Sequence, residues 1–152
     1  MTPFTARFDG VSVTAVQDLF SIVAGSNRAV EILAFDFSQL SKVGDAQETE
    51  VLIIVRSGQT SAGSGGTAPA MNPTDTGDTA ATATVRANDT TQANTGTIVQ
   101  HYSWYWNVRA PFVKIFLPEE RPLVRVSRRL TIELKTAITT TMAGNLVWRE
   151  LG

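Results

Sequence analysis

The stretch Arg129 to Lys135, RLTIELK, alternates without a break: Leu130, Ile132 and Leu134 fall on one side, and Arg129, Thr131, Glu133 and Lys135 on the other. Side chains of an extended chain point to opposite faces in turn, so this period of two predicts a β-strand with one face buried. Asn145 to Leu151 (NLVWREL) repeats the device, and a strand carrying a Trp there is expected to be docked. Val51 to Arg56 (VLIIVR) is the most strongly β-branched segment and is expected deep in a sheet.

Working outward, Thr5 to Ala15 alternates loosely around Phe8, Val11 and Val13, with a turn or bulge signal at Asp9-Gly10, which predicts two short strands or one kinked strand. Gln17 to Ala24 and Arg28 to Phe37 flank Gly25-Ser26-Asn27, a cluster that favours a tight reversal. Helix competes over Thr14 to Val23, but β-branched and aromatic content argues for strand. Ser38 to Glu50 is polar and holds Gly44-Asp45. Gly96 to Ala110 is a long aromatic strand closed by Pro111, Phe112 to Leu117 (FVKIFL) is another, and Pro118 and Pro122 bracket an acidic-basic corner. About eight or nine strands without a convincing helix predict an all-β sandwich of the jelly-roll type. With 152 residues, residues 1–152 are expected to form a single domain.

Between these strands lies the polar tract 57–96, rich in Gly, Thr, Ser, Ala, Asn and Asp, whose only large apolar residues are Met71 and Val85. So long a stretch with so little to bury predicts a functional loop, a linker, or an arm lying on another subunit. Met71 and Asn72 are its candidate contact residues.

Composition narrows the chemistry. Hydrophobic residues make up 43% and charged residues 18%, as in an ordinary folded protein, and the net charge of -1 offers no basic field for nucleic acid or membrane. There is no cysteine, hence no disulfide, thiolate metal site or thiol nucleophile. The first residues lack a basic start and an apolar run, and no segment approaches the ~18 apolar residues of a membrane span. Synthesis and retention in the cytosol are expected, unless lysis releases the chain.

Catalytic equipment is sparse. His101 is the lone histidine, and no GxSxG elbow exists, so a packed or surface imidazole is the better reading. The carboxylate pairs are Glu119 with Glu120, Asp75 with Asp78, and Asp45 with Glu48. Glu119 and Glu120 fit a solvated turn with Arg121 as counter-charge, and Asp75 to Asp78 lacks the spacing of a calcium loop. SAGSGG at Ser61 to Gly66 suggests an anion cradle, yet no Lys-Ser/Thr or helix follows, and flexibility suffices to explain it. No catalytic residue, cofactor or metal ligand is assigned, and an enzyme is not expected.

The strongest candidate for recognition is HYSWYWNV, His101 to Val108. If extended, Tyr102, Trp104, Trp106 and Val108 share one face, and His101, Ser103, Tyr105 and Asn107 the other. Such a strip stacks on sugars or anchors a protein interface, whereas the bland reading closes the core with the Trp face. Both hold if Tyr105 faces a partner.

The segments FTARFDGVSVTAVQDLFSIVAGSNRAVEI, ETEVLIIVRSG, GSGGTAPAMNPTDTGDTAATATVRANDTTQANTGTI, LPEERPLV and RLTIELKTAITTTMAGNLVWREL together resemble small virion proteins of tailed bacteriophages. The resemblance covers nearly the full chain and implies a head decoration, or cement, protein: a β-sandwich that sits as oligomers, typically homotrimers, on the outer capsid surface and grips the major capsid protein. It calls for no catalytic chemistry, cofactor, nucleic acid or membrane. The competing class is a carbohydrate-binding sandwich, with Tyr102, Trp104, Tyr105 or Trp106 stacking on a surface glycan and Asn107 or Asp89 bonding hydroxyls. A receptor-binding module of a tail or fibre is a third reading.

Overall fold

The computed structural model describes residues 2–40 and 49–152; the carboxylate pair Asp45 and Glu48 and the turn signal Gly44-Asp45 lie outside the described residues. Two antiparallel sheets face each other across one apolar core. Sheet A runs β5 (Met71–Pro73), β1 (Pro3–Val13), β11 (Thr140–Leu151), β3 (Ala29–Leu40) and β8 (Phe112–Ile115), with β9 (Leu123–Val124) also on β3. Sheet B runs β6 (Thr84–Asp89), β2 (Gln17–Val23), β10 (Arg129–Leu134), β4 (Glu50–Gln59) and β7 (Gly96–Asn107). The all-β sandwich read from the sequence is the fold, with eleven strands among the described residues; the strands beyond the expected eight or nine include the short β5 and β9.

Arg129–Leu134 of RLTIELK form β10, the middle strand of sheet B, and Leu130, Ile132 and Leu134 enter the core. The expectation of one buried face is corrected: Thr131 and Glu133 are buried too, because another part of the chain covers that side. The expected kinked strand is β1, Pro3–Val13, which ends before Thr14 and Ala15; it is bulged between Phe8 and Val11, and Gly10 supplies the left-handed φ of 62° that the bulge requires. Thr14 to Val23 contributes strand, not helix. Gly25-Ser26-Asn27 does not close a hairpin; it carries the chain from sheet B to sheet A. That transfer lets β2 and β3 contribute Phe20 and Phe37 from opposite sides of the core, 6.0 Å apart between ring centres.

The tract 57–96 is more deeply built into the sandwich than its composition suggests. It begins inside β4, adds β5 to one edge of sheet A and β6 to one edge of sheet B, and buries Ala83, Val85, Ala87 and Ala93. Residues 60–67 and 90–95 run beside each other as a strap, and Gln92, Ala93 and Asn94 bond side chains on the outer side of sheet B. Backbone bonds tie Thr60 to Thr95, Ser64 to Thr91 and Thr67 to Ala87 at 2.8 to 3.0 Å. Small side chains make this possible. A Cβ at Gly66 would collide with the carbonyl oxygen of Ala87, and one at Gly63 with that of Thr91. Close backbone approach, rather than flexibility, accounts for SAGSGG, and the amide that an anion cradle would offer is occupied internally, Gly66 N–H donating to Asp89 Oδ1 at 3.0 Å.

Candidate functional site

The aromatic strand β7 pairs with β4, which directs Tyr102, Trp104 and Trp106 inward. Trp106 is buried and donates its indole N–H to the Ala110 carbonyl at 2.5 Å. Tyr102 and Trp104 lie nearly parallel, 5.5 Å apart at 11°, and both are half-buried. Trp104 meets Phe35 at 6.0 Å and Phe112 at 5.9 Å, Tyr102 meets Phe116 at 5.4 Å, and the Tyr102 hydroxyl donates to the Glu120 carbonyl at 2.8 Å. Tyr105, 77% exposed, points the other way. Met71 and Asn72 sit in β5, opposite Ala6 and Thr5 on the far edge of sheet A, and Met71 leans on the core. The candidate contact residues are therefore spread over the molecule: three facing inward, one on the outside of sheet B, and two at a distant edge.

His101 is exposed, with its Nε2 2.7 Å from Ser57 Oγ beside a cavity of about 260 Å³ that Tyr102, Glu119, Glu120 and Arg121 also line. The expected charge pairing at this corner is corrected: Glu120 pairs with Lys114 at 3.3 Å, while Arg121 turns to Glu31 at 3.5 Å. Sequence neighbours lost to partners that strand pairing brings closer. Asp75 Oδ1 caps its own turn by accepting from Gly77 N–H at 3.0 Å, and the Thr2 hydroxyl, then the Thr79 amide, hold the Asp78 carboxyl below its usual range. Among the described residues, no group of three His, Asp or Glu side chains is placed to hold a metal ion.

What sequence reasoning missed lies beneath the strap. Asp18, Asp89 and Glu133 are fully buried on the outer side of sheet B. Asp89 accepts from Arg86, at 2.9 Å from Nε and 2.6 Å from the terminal nitrogen, and is unavailable to a sugar hydroxyl. Glu133 accepts from Arg56 at 2.6 Å, Thr131 at 2.7 Å and Gln92 at 3.2 Å, with Lys135 Nζ at 3.0 Å. Asp18 Oδ2 accepts from the Ala93 amide at 2.9 Å. Arg129 donates to Ser21 at 2.6 Å, and burial pulls its guanidinium pKa down. Of these contacts, Gln92 to Glu133 and the Ala93 amide to Asp18 tie the strap to the sheet. The signal available in the sequence was ionisable residues at regular positions in central strands, which needed an unseen cover to make sense.

Desolvation pushes the Asp18 carboxyl from 3.8 to about 6; the Ala93 amide opposes the rise, Glu133 and Asp89 add to it, and Arg56 opposes it. A folded-state pKa above the unfolded one means the native state prefers the protonated acid, so this contribution is fully present below about pH 4 and is lost as pH rises through about 6. Two pK units at about 1.4 kcal/mol each amount to about 3 kcal/mol. Asp18→Asn, which cannot ionise, is expected to match the wild type near pH 4 and exceed its stability by up to that amount at pH 7.5, as read by urea unfolding at both pH values.

The outer face of sheet A is different. Strand register places Val113, Asp36, Asn145 and Arg7 in one row, Ile115, Ala34, Val147 and Thr5 in the next, and Leu123, Glu31, Arg149 and Pro3 in a third. No strand or turn of the described residues is laid across these rows as the strap is laid across sheet B. Val113, Ile115, Leu117 and Leu123 are 62, 71, 62 and 55% exposed. The charges among them are answered within the face: Asn145 donates to Asp36 at 2.8 Å, and Arg149 and Arg121 both meet Glu31. This surface is apolar along the β8 side and locally neutral.

No family model matches this chain, and no curated protein matches it. Among solved structures, VP17, a capsid protein of bacteriophage P23-77, aligns at 10% identity over 98% of this chain and 97% of that chain, with a TM-score of 0.17. A likeness at that level carries no argument about fold or function.

Proposed function

We propose that this chain is a non-enzymatic virion structural protein that decorates and stabilises a bacteriophage capsid, binding the major capsid protein lattice from outside as an oligomer. The observation that carries the reading is the inequality of the two outer faces. The chain's own strap buries Asp18 and Glu133 on the outer side of sheet B and leaves Tyr105 of β7 exposed, while sheet A leaves a neutral surface with a row of exposed apolar side chains uncovered. Exposed apolar side chains gathered on one face mark an interaction site more often than chance. A repeating lattice needs only modest affinity per copy, since many copies supply avidity. The sequence resemblance to head decoration proteins points to the same role.

A carbohydrate-binding module is less well supported. Stacking on a sugar needs aromatic rings open to solvent, and Tyr102, Trp104 and Trp106 face the core, leaving Tyr105 alone outside. The test is co-sedimentation with expanded, undecorated bacteriophage heads beside a glycan array. The expected result is saturable pelleting with heads and a silent array. Array binding without pelleting would replace this reading with the carbohydrate one.

A further inference from the structure

Among the described residues, strand β8 is the end of sheet A and is bonded to β3 on one side only. Phe116 N–H donates to the Leu33 carbonyl at 3.0 Å, which orients even-numbered residues toward β3. Backbone groups alternate along an antiparallel strand, so the N–H and C=O of Val113 and Ile115 point away from β3, while just past the strand the Leu117 carbonyl accepts from Glu120 N–H at 2.9 Å. Val113, Ile115 and Leu117 carry large exposed apolar side chains. Pro111 and Pro118 bracket this window and confine pairing to it. An edge that offers free backbone groups and apolar side chains on the same residues, without an outward-facing charge, lacks the usual protection against strand addition.

We propose that β8 is the self-association edge, and that its occupant is β8 of a second copy, paired antiparallel about a two-fold axis at Ile115. The choice of register follows from charge. A pair centred on Lys114 would set Lys114 against its own copy, a repulsive arrangement. Centring on Ile115 sets Ile115 against Ile115, Val113 against Leu117, and Lys114 against Phe116. Lys114 already lies over the Phe116 ring of its own chain, 4.9 Å from the centroid, so a second Phe116 ring is a compatible neighbour. Three apolar pairs meet, and sheet A becomes continuous through both copies. The inference deepens the proposed function and rests on it: it names the contact that makes the oligomer, and it makes that contact two-fold, unlike the trimer that the resemblance implies. The joined sheet would present a doubled outer face to the shell.

The experiment is light scattering on the purified protein at about 100 µM, with two variants. The wild type should weigh twice the 16.4 kDa chain. Ile115→Asp brings two carboxylates together at the axis and should weaken pairing about 100-fold or more while leaving circular dichroism unchanged, since Ile115 is exposed. Because the sequence contains no cysteine, Ile115→Cys gives a thiol that can bridge only to another copy. Directly paired residues of this kind lie about 5.5 Å apart at Cα, within disulfide reach, so mild oxidation should yield a covalent dimer, and Tyr105→Cys should not. A wild-type monomer, a trimer, or an Ile115→Asp variant that remains dimeric overturns the contact. A monomer that still pellets with phage heads would discard this inference and keep the capsid-binding role; a dimer that ignores heads would do the reverse.

Discussion

Glu133→Ala should cost about 3–5 kcal/mol in urea unfolding, the loss expected when one partner of a buried ion pair is removed. Glu133 is fully buried and receives Arg56, Thr131, Gln92 and Lys135, and the Arg56 side chain is only 13% exposed. Alanine would leave a guanidinium under the strap with little access to water. The cost comes from that stranded charge more than from the lost attraction, which predicts a second result. Replacing both partners, Arg56→Met with Glu133→Leu, should recover most of the loss, since a dry apolar pair satisfies the site. Because Gln92 bonds Glu133 and Asn94 bonds Arg56, amide exchange at 92–94 should accelerate in the single variant and stay accelerated in the double even where global stability recovers. A single-variant loss below about 1 kcal/mol would mean that the pair is solvated and the strap is not a closed cover.

Phe37→Ala should destabilise by a similar amount, about 3–5 kcal/mol, for an unrelated reason. Phe37 lies within 6.5 Å, between ring centres, of Phe8, Phe20, Phe35, Trp106 and Phe112, and so joins strands of both sheets. Its pocket is shaped to the ring: at Gly144 on β11, a Cβ would stand 2.7 Å from Phe37 and 2.8 Å from Phe8. Rings packed this closely on all sides cannot collapse into the space left by truncation, so the cavity persists. Thermal and urea unfolding should both report the loss. A near-neutral outcome would show that the two sheets are held mainly at their edges.

The strands were legible where side-chain alternation was strong, as in RLTIELK and NLVWREL, because the period of two follows directly from extended backbone geometry. Alternation reveals which residues share a face but not what covers that face. Glu133 and Thr131 therefore read as solvated, and only the path of the strap buries them. Ala83, Val85 and Ala87 do alternate toward the core, yet alanine is a weak strand former, and β6 disappeared into a tract that looked like a linker. Its glycines posed the same ambiguity, since a residue without a side chain suits a flexible loop and a close backbone contact equally. The inward turn of Tyr102, Trp104 and Trp106 was half-visible: the sequence separated the two faces of HYSWYWNV, but the pairing of β7 with β4 decided which one met the core. Outside the reach of any local pattern was the exposed edge at Val113, Ile115 and Leu117, because FVKIFL reads as an ordinary strand until its place at the end of sheet A is known.

In the proposed role, the uncovered face of sheet A lies against the virion surface. Amide hydrogen exchange on the protein, free and bound to undecorated phage heads, tests it most directly. The account predicts added protection at 112–117, 123–124 and the exposed positions of β3 and β11, with the strap at 60–67 and 90–95 unchanged. Protection confined to the strap, or no change anywhere at saturating heads, would contradict it.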